Sequence, residues 1–251
     1  MKNIFSLKRR LDQWRYNRLA RNASRVSHPS AALVDAGFAS QCGQDKWVLE
    51  SCFPGMRQGV FVDIGAHDGV TFSNTRYLES VQGWSGLAIE PMPQVYSRLK
   101  FNRHCVVING CIASSNGTAT FRQISGYSEM LSGLVDQYDA RHLQRISREV
   151  KEHGGSWQDI EVQKYRLNDL LLEHKIETVH YMNVDVEGAE LEIIRSIDFS
   201  KIDIRVCGIE NNYRDPRIPA HMRSVGYRMA AIVGDEMYVK EGASLPLHVN
   251  T

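Results

Sequence analysis

The sequence predicts an α/β fold in which a mostly parallel sheet carries helices on both faces. Short apolar, β-branched runs alternate with segments of helical periodicity from residue 59 onward. Five of these runs end on Asp63, Glu90, Asn109, Asp185 and Glu210, and open parallel sheets bind ligands at the carboxyl ends of their strands. The first run also leads into a glycine turn, Gly65-Ala66-His67-Asp68-Gly69, where the backbone can bend sharply beside a ligand. One or two acids at strand ends would reflect turn formation alone. Four, each after an apolar run, point to chemistry.

In chain order, residues 1–39 read as a basic helical arm and residues 40–251 as the domain. The first 25 residues hold eight basic side chains (Lys2, Lys8, Arg9, Arg10, Arg15, Arg18, Arg21, Arg25) against Asp12. Ile4, Leu7, Leu11 and Trp14 recur at helical spacing, so the arm is a basic helix with a modest apolar stripe. Such a helix either rests on an anionic membrane surface or packs, solvated, on its own domain or a partner. His28-Pro29-Ser30 ends it.

GVFVDI (59–64) is the first strand, and a helix is expected to begin near residues 71–74. WSGLAIE (84–90) is the second strand, and Pro91 and Pro93 suit the first turn of the helix after it. CVVI (105–108) is the third. Residues 118–121 and 162–167 are further strands, and Asn168 is expected to cap a helix through Leu172. Residues 179–186 and 205–210 are strands flanking a strongly apolar helix at 189–197, and 226–233 with 236–240 form a final antiparallel pair.

A hydrophobic fraction of 43%, a charged fraction of 24% and a net charge of +1 exclude wholesale disorder and collagen, and leave no global electrostatic reason to bind nucleic acid. No run approaches the roughly 18–20 apolar residues of a membrane span. Cys42, Cys52, Cys105, Cys111 and Cys207 are odd in number and lack CxxC spacing, which favours reduced, buried thiols and a cytoplasmic protein, peripheral at the inner face of the membrane if the arm docks there. His142, His153, His174 and His180 are scattered without zinc-like spacing and read as surface or edge residues.

The glycine turn lacks a full GxGxxG pattern. Glu90 nevertheless lies 21 residues after Gly69, near the spacing at which an acid holds a ribose hydroxyl pair, so adenosine binding is expected. A diphosphate wants a helix N-terminus free of negative side chains. Asp63 and Asp68 flank this turn, which suits a cationic sulfonium better.

VDIGAHDG (62–69), SNT (73–75), GWSGLAIEP (83–91), NVDVEGAELEIIRSIDF (183–199) and IEN (209–211) together resemble the FkbM family of S-adenosylmethionine-dependent methyltransferases. GQD (43–45) is similar to a segment many members carry ahead of the first strand. The resemblance runs from about Ser40 to Lys240, and DVEGAE is its most specific element. It implies the class I methyltransferase fold, a Rossmann-like three-layer sandwich with a seven-stranded sheet and a C-terminal antiparallel hairpin. It also implies methylation of a hydroxyl, commonly on a sugar or a polyketide. Asp63, Gly65 and Gly69, with Ala66 and Asp68 in the same loop, would surround the methionine part of the cofactor, and Glu90 would take the ribose hydroxyls. Asn109, Gly110 and Cys111 would lie near the adenine, although the acid often found after that strand is absent. Asp185 would sit beside the transferring methyl group.

An alcohol is weakly acidic, so methylating it calls for a base, and Asp185, Glu187 and His67 are the candidates. Asp185, Glu210 and Asn211 offer hard oxygen ligands for Mg²⁺, but no metal-binding spacing accompanies them and a metal is not favoured. Residues 122–163, with Tyr127, Tyr138, Arg141, His142, Arg145 and Arg148, read as a polar insertion that either covers an acceptor site, with side chains suited to a glycan, or forms a solvated helix. The basic arm turns the expected acceptor towards a sugar hydroxyl in an exported polysaccharide or lipid-linked oligosaccharide. A nicotinamide-dependent dehydrogenase and a non-catalytic binding module are the readings from other classes.

Overall fold

The computed structural model of the chain describes residues 2–28, 33, 36–138, 140–243 and 245. The chain opens with α1 (Lys2–Leu19), the two-residue strand β1 (Ser24–Arg25) and the short α2 (Gln44–Trp47), which runs on into a π-helical stretch, Val48–Cys52. Then come β2 (Val60–Ile64), α3 (Arg76–Ser80), β3 (Ser85–Glu90), α4 (Pro93–Asn102) and β4 (Val106–Asn109). The middle of the chain supplies β5 (Cys111–Ile112), β6 (Gly117–Ser125), β7 (Gly133–Leu134), α5 (Ala140–His153) and β8 (Ser156–Tyr165). It closes with α6 (Leu167–Glu173), β9 (Thr178–Val184), α7 (Glu190–Ser196), β10 (Asp203–Ile209), α8 (Arg217–Ser224), β11 (Tyr227–Val233) and β12 (Asp235–Lys240).

The main sheet has the strand order β1-β11-β12-β10-β9-β2-β3-β4. Its β2, β3, β4, β9 and β10 are parallel, whereas β12 runs antiparallel to both β10 and β11. The expected parallel sheet is thus present, but it carries eight strands rather than seven, because β1 adds parallel to β11 at the edge. The central strands are apolar runs because both faces are covered. Val62, Ile64, Leu87 and Val184 face one core with α6 and α7, and Phe61, Trp84, Tyr181 and Val206 face the other with Trp47 and Val48.

A second sheet, β5-β8-β6-β7, was not foreseen. The strand expected at 162–167 begins at Ser156 and pairs antiparallel along β6, from Gly117↔Lys164 to Ser125↔Ser156. Most of the polar insertion is therefore a sheet layer, with α5 packed on it through Ile124, Leu131 and Ile146. His142, read as a surface residue, is 1% exposed and lies 3.1 Å from the Leu131 carbonyl through Nε2. Asn168 does not cap α6, whose N-cap is Arg166; it is tied to Asp198 by reciprocal hydrogen bonds of 3.1 and 2.9 Å.

The arm meets the domain at its C-terminal end. Tyr16 and Ala20 enter the core, whereas Leu11 (48% exposed) and Trp14 (59%) face outward. The buried Tyr16 hydroxyl donates to Glu236, whose Oε1 accepts from Asn211 Nδ2 at 2.8 Å. No helix among the described residues is long and apolar enough to cross a membrane. All five cysteines are free thiols.

Candidate active site

The loop after β2 is built for close approach. Gly65, at φ 88°, crosses the chain leaving β9 so tightly that a Cβ on it would lie 1.8 Å from the Asp185 carbonyl oxygen. The Asp185 N–H donates to the Ile64 carbonyl at 3.0 Å, pinning the two strand ends together. Asp63, 1% exposed, accepts from Thr75 Oγ1 (2.5 Å) and Asn183 Nδ2 (3.0 Å), and Thr75 in turn accepts from the buried Arg103 (2.9 Å). The DIG and SNT segments meet here as one buried network.

Above this floor lies a cavity of about 520 Å³, at the carboxyl ends of β2, β3, β9 and β10. That size is within the range of roughly 300–1,000 Å³ typical of small-molecule sites. One end is apolar: Met92, Cys111 and Phe121 form a small cluster, with Ile112 and Leu134 also in the wall. Glu90 stands in the lining, 4% exposed, its Oε1 accepting from Met92 N–H (2.8 Å) and its Oε2 from His67 N–H (3.2 Å). Burial outweighs those hydrogen bonds and lifts its carboxyl to about 7.

The other end is acidic. Asp185, Glu187, Glu210 and Asp235 line it, and Glu190 turns back beneath them to accept from the Gly188 (2.9 Å) and Val186 (3.3 Å) N–H groups. Burial raises every one of these carboxyls, and repulsion from neighbouring acids adds to it at Asp185, Glu187, Glu190 and Glu210: Asp185 and Glu210 go well above the usual range and Glu187 to about 7. Arg145 of α5 partly offsets the charge, its Nη1 lying 3.3 Å from Glu187 Oε2. Gln44 Nε2 holds Asp235 at 2.8 Å. Two buried polar atoms of the lining, His67 Nδ1 and Asn74 Oδ1, have no hydrogen-bond partner among the described residues, as befits a site completed by a ligand.

A family model described as the methyltransferase FkbM domain matches residues 63–229, from the acid of β2 into β11. The chain belongs to the FkbM methyltransferase family. No curated protein and no solved structure matches it. The matched stretch contains Glu90, Asp185, Glu187, Glu190 and Glu210, so most of the acidic end of the cleft belongs to the FkbM domain itself.

Asp63, Gly65, Ala66, His67, Glu90, Asp185, Glu187 and Glu210 of this FkbM methyltransferase are brought together around the cavity. Asp68, Gly69, Asn109 and Asn211 are not in its lining. Asp68 folds onto its own loop, accepting from the N–H groups of Val70 (2.9 Å) and Thr71 (2.7 Å). Gly69 abuts Leu99 and Arg103. Asn109 Nδ2 donates to the carbonyls of Glu90 (2.9 Å) and Pro91 (3.1 Å), buttressing the strand end. Asn211 turns to Glu236 and Asp215, so the oxygen set of Asp185, Glu210 and Asn211 does not converge. No group of three His, Cys, Asp or Glu among the described residues is placed to hold a metal ion.

His67, at φ 49°, lies 3.0 Å from Glu129 Oε1 through Nε2, which ties the glycine loop to the second sheet. Asp235 is absent from the residues singled out in the sequence, and Asn183 and Glu190 enter there only as part of the NVDVEGAE motif; Arg145, expected in the insertion, reaches Glu187 of the cleft. The GQD segment held the signal for Gln44. Asp235 gave none, since an Asp beside Gly234 reads as a turn former.

Proposed function

We propose that the chain is an S-adenosylmethionine-dependent O-methyltransferase acting on a sugar hydroxyl, in a glycan or a lipid-linked oligosaccharide. The polarity gradient of the cleft carries the reading: an apolar pocket, then Glu90, then a nest of carboxyls. Met92, Cys111 and Phe121 would flank the adenine, Glu90 would bind the ribose hydroxyls, and Asp185 with Glu210 would face the cationic sulfur. When bound, S-adenosylmethionine supplies an electrophilic methyl group on a sulfonium centre. The chain's own task is to align the acceptor and take its proton. Asp185 is the assigned base, and Glu187 and Glu210 share the proton it receives. His67 positions the loop beneath Glu90, because its Nε2 is engaged by Glu129. A small natural product such as a polyketide would be a different acceptor for the same machinery.

Two outcomes test the cofactor assignment. Glu90→Ala should weaken S-adenosylmethionine binding about tenfold to a hundredfold in calorimetry, the effect of losing roughly 1.5–3 kcal/mol of charged hydrogen bonding. Unchanged affinity in a folded variant would remove Glu90 from the site. The second outcome concerns pH. In the free protein Glu187 titrates near 7 inside a cluster of raised carboxyls, and a bound cation favours the ionised forms. Binding therefore releases protons, and affinity should rise by up to about tenfold per pH unit as the pH increases through 7. S-adenosylhomocysteine, with a neutral sulfur, should show a flatter profile. Equal profiles for the two would sink the sulfonium assignment.

The acceptor is tested by labelled methyl transfer to glycan extracts of cells lacking the protein, followed by linkage analysis. Label absent from every carbohydrate fraction would overturn the sugar assignment.

A further inference from the structure

The arm holds a surface that the cleft does not use. Tyr16 of α1 and Ala20 just after it turn inward, and Leu11, Trp14, Arg15 and Arg18 lie exposed at spacings of three, four and seven residues. Trp14 and Leu11 are exposed here and interleaved with arginines, the pairing of apolar and cationic side chains that an interfacial helix presents to a membrane. Arg18 lies over the Trp14 ring, 5.7 Å from its centroid. Beside that face, where α1 ends against α8 and β11, is a second cavity of about 470 Å³. Arg18, Arg21, Arg223 and Arg228 line it, against the carboxylate of Glu241. None of the four is held in an ion pair among the described residues.

We infer that α1 is an interfacial anchor for an anionic phospholipid bilayer, and that the arginine-lined hollow seats a phosphate headgroup. Two features of the arm select this occupant. Leu11 and Trp14 are exposed among arginines and suit insertion at headgroup depth, where Trp is favoured. The charge is one-sided: Arg10, Arg15, Arg18, Arg21 and Arg25 face Asp12 alone between residues 10 and 25. Near an anionic surface each such cation contributes about 1 kcal/mol, whereas a zwitterionic surface offers none of this. Arg18 joins the two parts, since it caps the Trp14 ring and also reaches the hollow.

The test uses the full chain and sedimentation with vesicles of phosphatidylcholine alone or mixed with phosphatidylglycerol. Binding to the mixed vesicles only is expected, with a blue shift in tryptophan emission that Trp14→Phe removes. Arg18→Glu with Arg21→Glu should reduce binding by about tenfold or more, with S-adenosylmethionine affinity and circular dichroism unchanged. Trp14→Ala should also weaken binding. Three results would each overturn the inference: equal or absent binding to the two vesicle types, full competition by millimolar inorganic phosphate, or concentration-dependent self-association that Trp14→Ala abolishes.

Discussion

Replacing Asp185 by Asn should abolish methyl transfer while stabilising the free protein at alkaline pH. The carboxyl lies at the end of β9, in a cavity shared with Glu187, Glu210 and Asp235, and burial followed by their repulsion lifts it well above the usual range. A base positioned on the acceptor hydroxyl contributes about a hundredfold to ten-thousandfold in rate, and Asn cannot accept that proton, so a loss of that size is expected. For stability, an acid whose folded pKa exceeds its unfolded value binds more protons when folded. Its effect is neutral below the unfolded pKa and becomes progressively destabilising as pH rises towards the folded pKa. The unliganded wild type should therefore melt at a lower temperature at pH 8 than at pH 6. D185N should flatten that slope and gain a few degrees at the higher pH, since about 1 kcal/mol corresponds to roughly 2–4 °C in a chain of this size. Transfer activity surviving in D185N would move the base to Glu187. A D185N protein that melts below the wild type at pH 8 would mean that the cluster is internally compensated.

Gly65→Ala is expected to be the most damaging single-methyl change in the cleft. The residue adopts φ 88°, and the new Cβ would meet the Asp185 carbonyl oxygen at 1.8 Å, a backbone atom with no rotamer to escape into. A left-handed non-glycine residue alone costs about 1–2 kcal/mol. Separating β2 from the end of β9 adds to that and breaks the Asp185 N–H bond to Ile64. A total above about 3 kcal/mol is expected, seen as a fall of roughly 6–12 °C in melting temperature together with loss of S-adenosylmethionine binding. Gly83→Ala provides the control, because its φ of 70° carries the same conformational penalty while nothing lies within 4 Å of the added carbon. Equal destabilisation by the two changes would show that the crossing at Gly65 relaxes without difficulty.

What could be read from the sequence follows from the physics of each element. Strands buried on both faces, such as VFVDI in β2 and TVHYMNV in β9, are apolar runs whose ends are plain, so the acids at those ends stood out. The second sheet was hidden because β6 and β8 carry mixed polar sequences, GTATFRQIS and SWQDIEVQKY, in which only Phe121, Ile124 and Val162 are fully buried. Such strands look like a solvated insertion until they find each other. Asn109 misled for a different reason. It occupies a strand end like its neighbours, yet its amide serves the backbone of β3. Glu190 resembled an ordinary acid in the first turn of a helix, and only the chain reversal at Gly188 shows it to be part of the cluster. Long-range pairs such as Gln44 with Asp235, 191 positions apart, leave no local periodicity to detect.

Glu236 gives the arm and the cleft a common hinge. One oxygen receives Asn211, the neighbour of Glu210 on the cleft rim, and the same buried carboxyl receives Tyr16 from the helix at the far end of the chain. Removing that one carboxylate would leave two polar groups unsatisfied at once, the Tyr16 hydroxyl under the helix and the Asn211 amide next to the rim.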